Sequence, residues 1–111
     1  MREAMEQAQR ARRFASLAYG FAKRAGAASY ADGEARAAWR DARRSECNTW
    51  GLGREVWAQQ WAQQAQSYAR KAAREARAYR AGQGNRRALL EAVYGAARAG
   101  GYAMRYAEVR P

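Results

Sequence analysis

The sequence predicts an all-α protein, an antiparallel bundle of about four helices with alanine-rich, close-packed seams. Thirty of its 111 residues are alanine, the residue with the highest intrinsic helix propensity. These alanines recur at alternating spacings of three and four residues, as residues on one helix face do. Glycine and polar clusters at 26–29, 47–53 and 82–85 separate four segments, and proline occurs only at Pro111. The length suits a single domain over residues 1–111.

The first helix is predicted over residues 2–25. Its alanine line has larger side chains beside it, at Phe14, Leu17 and Phe21. Alanine allows helix axes to approach to about 8 Å, while the larger side chains are expected to fill the centre of the bundle. Because alanine buries little apolar surface, tryptophan and tyrosine are expected to supply most of the core. Gly26 suits the position after the helix, where a left-handed backbone is common.

The second helix is predicted over residues 29–46, with Ser29 or Asp32 as its N-terminal cap. Trp39 lies beside the alanine line of this segment and is expected in the core. Trp50 follows in the connection to the third helix. It either covers the end of the bundle or is an exposed anchor for a partner.

The third and longest helix is predicted over residues 53–81, and it should extend beyond the second helix at one end. The fourth is predicted over residues 86–108, with Asn85 as its N-terminal cap. Small residues spaced four apart in the fourth helix, such as Ala97 and Gly101, are expected to allow close packing against a neighbour. The short connections favour antiparallel neighbours.

Composition argues against several classes of function. The chain has no histidine and one cysteine, Cys47, which argues against a zinc site and an internal disulfide. No pair of acids, nucleophile or base is recognisable on an apolar face, so we expect no catalytic residue, no metal and no cofactor. The N-terminal residues lack the pattern of a signal peptide, and no apolar run is long enough to cross a membrane. We therefore expect a cytoplasmic protein in a reducing compartment.

The charge points to an acidic partner. The formal net charge is +11, from 19 arginines and two lysines against ten acids, although a GC-rich gene also favours arginine and alanine. Residues 1–25 and 48–81 carry +4 each, residues 82–111 carry +3, and residues 26–47 carry no net charge. A polyanion is therefore expected to contact the first, third and fourth helices.

The candidate binding residues lie on outer helix faces, where the alternative is an ordinary solvated surface. Arg70, Arg74 and Arg77 form a stripe about 10 Å long, which suits successive phosphates or the carboxylates of an acidic protein. In the fourth helix, Tyr94 is expected to be exposed between basic residues, where it can stack on a base or an arginine. The full set is Arg10, Arg13, Arg70, Arg74, Arg77, Arg87, Arg98, Arg105, Tyr94 and Trp50.

The leading hypothesis is a small non-catalytic protein that binds a polyanion, most directly nucleic-acid backbone, through arginine-rich helix faces. The alternative is a protein-binding inhibitor or adaptor of the phage or mobile-element kind, such as an anti-defence protein. It would use arginine and aromatic anchors on another protein's acidic surface. DNA and RNA are not distinguished, and no membrane partner is expected. A homodimer is left open, because an alanine seam closes within one chain or between two.

Overall fold

Four helices make up the structure, a computed structural model that describes residues 2–44 and 53–108. The helices are α1 (Arg2–Arg24), α2 (Ala28–Arg44), α3 (Arg54–Arg80) and α4 (Arg86–Glu108). The described residues contain no strand, so the predicted all-α fold class is confirmed. The predicted end of the second helix, at residue 46, lies outside the described residues.

Three of the helices pack against one another and the fourth covers one side. α1, α3 and α4 are mutual neighbours, whereas α2 contacts α4 and α1. Within the described residues, no Cα atom of α2 lies within 8 Å of a Cα atom of α3. The two helices that follow each other across the undescribed connection are therefore not neighbours. The bundle measures 49 × 21 × 18 Å.

α1 and α3 run in the same direction, in axial register. The first halves of their alanine lines share one core cluster, and the second halves share another. The lines are Ala4, Ala8, Ala11, Ala15, Ala18 and Ala22 in α1 and Ala58, Ala62, Ala65, Ala69, Ala72 and Ala76 in α3. The spacing is identical, so Ala11 corresponds to Ala65. α4 is antiparallel to both, because its C-terminal residues Ala103 and Ala107 join the N-terminal halves.

The interior of the described bundle is mainly alanine, and Tyr102 and Tyr106 are the only buried aromatic residues among those described. Tryptophan and tyrosine therefore do not supply most of the core as predicted. The largest fully buried side chains are Leu89 and Val93. Trp57 and Trp61 are half-buried and pack at the edge of an alanine cluster, while Leu17 is 48% exposed. Helices in contact through methyl groups lie too close to hold an indole ring between them, so the rings cover the flanks of the seams.

Glycine ends α1 and α3. Gly26 and Gly82 have φ angles of +91° and +76°, which glycine adopts without steric cost. After α1, the Ala27 N–H donates to the Ala22 carbonyl and the Gly26 N–H donates to the Lys23 carbonyl. This pair of bonds is the Schellman motif, and the same pair follows α3 at Gly82. The role predicted for Gly26 is confirmed.

The two predicted N-terminal caps have different outcomes. Asn85 caps α4 as predicted, since its Oδ1 accepts a hydrogen bond from the Ala88 N–H at 2.7 Å. The cap predicted for α2 is wrong, because the helix already begins before Ser29. Asp32 lies one turn inside the helix and pairs with Arg36, four residues later, at 3.1 Å.

α4 approaches α2 closely at two glycines. A Cβ atom added at Gly101 would lie 2.5 Å from the Ala42 Cβ, and one added at Gly100 would lie 3.3 Å from the ring of Trp39. Trp39 is half-buried, packs against the core cluster and covers this contact. The small residues of α4 thus allow the close packing that their spacing predicts.

The substitution Gly101→Ala should lower the free energy of unfolding by about 1–3 kcal/mol, the usual cost of overpacking. Gly20→Ala is the matched control, because Gly20 lies inside α1 and an added Cβ would meet nothing within 4 Å. This control should stabilise the protein by about 1 kcal/mol through helix propensity. Urea unfolding followed by circular dichroism measures both changes. Shifts of the same sign and size would contradict the close approach of α2 and α4.

Candidate polyanion interface

The flanks of α1 face different neighbours. On one flank, Arg12 and Tyr19 border cavities that Trp39 of α2 also lines. Arg10 and Leu17 lie on the opposite flank of the alanine line, and this flank therefore adjoins α3.

The tryptophans of α3 show which of its flanks faces α4. Trp57 stacks on Tyr106 and Trp61 on Tyr102, with ring centroids 6.1 Å and 4.5 Å apart. Arg70 and Arg77 lie on the other flank of the alanine line, which therefore adjoins α1. Arg74 lies between this flank and the outermost part of the helix.

The arginines on these two adjoining flanks, together with those on the outermost parts of the two helices, form one surface, the basic face. Its members are all exposed, and they are Arg10, Arg13, Arg24, Arg70, Arg74 and Arg77. Because α1 and α3 lie in axial register, the distance along the bundle from Arg10 to Arg77 corresponds to 13 helical residues, about 20 Å. The packing of α1 beside α3 thus places the predicted stripe of Arg70, Arg74 and Arg77 next to the predicted arginines of α1.

The basic face contains few acids. No acidic residue occurs in residues 7–24, and Glu75 is the one acid in residues 56–80. Glu75 lies seven residues after Tyr68, on the flank that faces α4. α1 and α3 each carry six basic and two acidic residues, so they hold a formal charge of +8 out of the chain's +11. Most of the chain's net positive charge therefore lies on α1 and α3.

The candidate arginines of α4 make contacts within the protein. Arg87 pairs with Glu91 at 3.3 Å on the surface. Arg98 lies 5.2 Å from the ring centroid of Tyr102 and donates from Nη2 to its hydroxyl at 3.2 Å. This hydrogen bond raises the pKa of Arg98 above its ordinary value. Arg105 is half-buried and its Nη1 donates to the carbonyl of Arg43 at the end of α2.

Tyr94 is not the exposed aromatic that the sequence predicted. It is half-buried, and its hydroxyl donates to the carboxylate of Asp41 on α2. The hydrogen bond to Asp41, the burial of the ring and the charge of the carboxylate together raise the pKa of Tyr94. The packing of α2 against α4 accounts for this difference, because it covers the face on which Tyr94 lies.

A groove lies above α4, between α2 and α3, and the sequence did not indicate it. Its cavity of about 470 Å³ is lined by Trp61, Tyr68 and Tyr94, among other residues. Tyr68 lies flat against α4 at Gly95, where an added Cβ would overlap the ring. Trp61 and Tyr68 lie seven residues apart on one flank of α3, and both are of the residue types that the sequence predicts in the core. The gap between α2 and α3 leaves that flank partly open.

One candidate, Trp50, lies outside the described residues. Within them, no helix is long and apolar enough to cross a membrane, and no three histidine, cysteine, aspartate or glutamate side chains cluster as metal ligands would. No protein-family model, curated protein or solved structure matches the chain.

Spectrophotometric titration of the tyrosines should find Tyr94 ionising above its ordinary pKa of 10.0. The contribution of this hydrogen bond to stability is fully present below about pH 10 and is lost as pH rises through the higher pKa of the folded state. Asp41→Asn should bring the pKa of Tyr94 towards its ordinary value. Asp32→Asn, which removes an acid elsewhere on α2, should leave it unchanged. Subtracting the titration curve of Tyr94→Phe isolates the ionisation of Tyr94. Identical curves for the two aspartate variants would show that Asp41 is not the cause of the raised pKa.

Proposed function

We propose that this is a small non-catalytic protein that binds nucleic-acid backbone through the basic face of α1 and α3. The observation that supports the proposal is the parallel register of the two helices, which gathers six exposed arginines on one side of the bundle. Residues 7–24 of α1 contribute no acid to this side. Such a surface attracts polyanions over a longer range than isolated helix stripes do.

The dimensions of the basic face suit a phosphate backbone. Each strand of a duplex places a phosphate about every 3.4 Å along its axis, so a face about 20 Å long spans roughly six phosphates. Guanidinium groups bind phosphate oxygens in a bidentate geometry that lysine cannot reproduce. Exposed Gln59 and Gln63 on α3 add neutral donors of the kind that contact phosphate and sugar. Contacts of this type position a protein on nucleic acid without reading base sequence.

The proposed interface leaves out the arginines of α4 and Tyr94. Arg98 and Arg105 would lose hydrogen bonds within the bundle on turning towards a ligand, and the charge of Arg87 is balanced by Glu91. The proposed interface thus contains only the candidate binding residues of α1 and α3.

An acidic protein surface is the second candidate partner, and Leu17 favours it. This leucine is 48% exposed on α1 and lies in a shallow depression with Arg13 and Arg24. An exposed apolar side chain among arginines adds nothing to phosphate binding, but a protein interface would bury it. A protein-binding inhibitor or adaptor would use these residues as anchors.

Binding to a short duplex should depend steeply on salt. With about six phosphates neutralised, affinity should fall about 10³-fold between 50 and 200 mM salt. Fluorescence anisotropy titrations at several salt concentrations measure the slope. Absence of binding at 50 mM salt would exclude the proposal, and a flat salt profile would exclude the backbone mechanism.

Charge reversal at two positions tests the location of the interface. The double substitution Arg70→Glu with Arg74→Glu should weaken duplex binding more than tenfold and reduce the salt slope by about 2, since each phosphate contact contributes about 1. The matched control is Arg40→Glu with Arg44→Glu, which makes the same charge change on exposed positions of α2. Equal losses in the two variants would show that total charge matters and that the basic face does not.

The substitution Leu17→Ser separates the two candidate partners. It should leave duplex affinity within about twofold, because backbone contacts depend on charge. It should weaken binding to an acidic protein partner at least tenfold if that leucine is an anchor. Affinity purification with and without nuclease supplies the protein partner for this comparison.

A further inference from the structure

A second arginine cluster lies on the flank of α1 away from α3. Here Arg12 of α1, Arg43 of α2 and Arg105 of α4 line one cavity of about 310 Å³. Trp39, Met104 and Gly101 are its other lining residues. No acidic residue is among the described residues that line it. The basic face of α1 and α3 does not include any of these three arginines.

Three arginines from three helices line one cavity, and no acidic residue is among its described lining residues. Arginines on a helix surface normally turn towards water or pair with acids, as Arg36 does with Asp32. Arg12 and Arg43 are exposed to solvent, whereas Arg105 is half-buried. A bound anion would supply the counter-charge that the lining lacks and would accept hydrogen bonds from the three arginines.

Arg105 has a buried donor that lacks a partner. Its Nη1 is occupied by the Arg43 carbonyl, but its Nε is buried and has no hydrogen-bond partner among the described residues. An unpaired, buried donor on a charged group is costly, and a bound ion is one explanation for it. The side chain is held in place by its contact with α2, so its remaining donors are preorganised.

We propose that this cavity binds a phosphate dianion, either free phosphate or a phosphomonoester. Three guanidinium groups match a tetrahedral dianion better than a single planar carboxylate, because its oxygens can accept from all three sides. The volume is at the lower end of the range for small-molecule sites, and it leaves room beside the phosphate for an attached organic group against Trp39 and Met104. The inference goes beyond the backbone interface on α1 and α3 and does not depend on it.

Nuclear magnetic resonance with inorganic phosphate tests the site directly. Phosphate is titrated into protein labelled with ¹⁵N at constant ionic strength, with chloride as the balancing anion. The Nε–Hε resonance of Arg105, assigned by its loss in Arg105→Lys, should shift with phosphate and not with chloride. Absence of a phosphate-specific shift would overturn the proposal.

Two substitutions at exposed positions keep the fold intact and locate the ligand. Arg12→Gln and Arg43→Gln should each weaken phosphate binding about tenfold, the usual effect of removing a charge-assisted hydrogen bond. Arg40→Gln makes the same charge change on α2 without lining the cavity, and it should change affinity less than twofold. An equal loss in all three variants would mean that phosphate responds to net charge alone and would overturn the site.

Oligonucleotides of one sequence, with a 5′-phosphate or a 5′-hydroxyl, distinguish the sources of the phosphate. A tighter complex with the 5′-phosphate that is lost in Arg43→Gln assigns the ligand as a nucleic-acid end. Equal affinity of the two oligonucleotides, together with phosphate-dependent shifts of Arg105, assigns a free phosphate or small phosphomonoester. The backbone interface is tested separately by reversing the charges of Arg70 and Arg74. Failure of one proposal therefore leaves the other standing.

Discussion

The close approach of methyl-lined helix faces is the contact on which the other features of this bundle depend. Alanine seams bring helix axes together to about 8 Å, which leaves no room for rings between them. The interior of the described residues therefore holds nothing larger than Leu89 and Val93 among its fully buried side chains. Most aromatic rings lie on the flanks of the seams, where Tyr102 and Tyr106 alone among those described are buried, and charged side chains occupy the outer faces.

Two aromatic pairs connect α3 to α4. Stacking of Trp57 on Tyr106 and of Trp61 on Tyr102 contributes about 0.5–1.5 kcal/mol per pair beyond area burial. The buried indole N–H of each of these tryptophans lacks a hydrogen-bond partner among the described residues, which costs about 1–3 kcal/mol. These two contributions nearly offset each other, so the pairs stabilise the contact mainly through the apolar area that they bury.

The helix packing also determines which arginines lie next to one another. α2 carries three acids against four arginines, and its contact with α4 draws Tyr94 and Arg105 into hydrogen bonds. α1 and α3 lie side by side with few acids and form the basic face. Arg12, on the other flank of α1, is instead grouped with Arg43 and Arg105. One arginine-rich helix thus borders two cationic surfaces with different geometries, one a long outer face and one a partly open cavity.

Much of this structure can be read from local sequence. The helices, the turn at Gly26, the cap at Asn85 and the stripe from Arg70 to Arg77 depend on residues within a few turns of one another. The pairing of helices cannot be read in this way, because every segment has an alanine line of similar spacing and each line fits several others. Only the tertiary structure determines which helices pair. That pairing separates α2 from α3, partly buries Tyr94 and brings three arginines to one cavity.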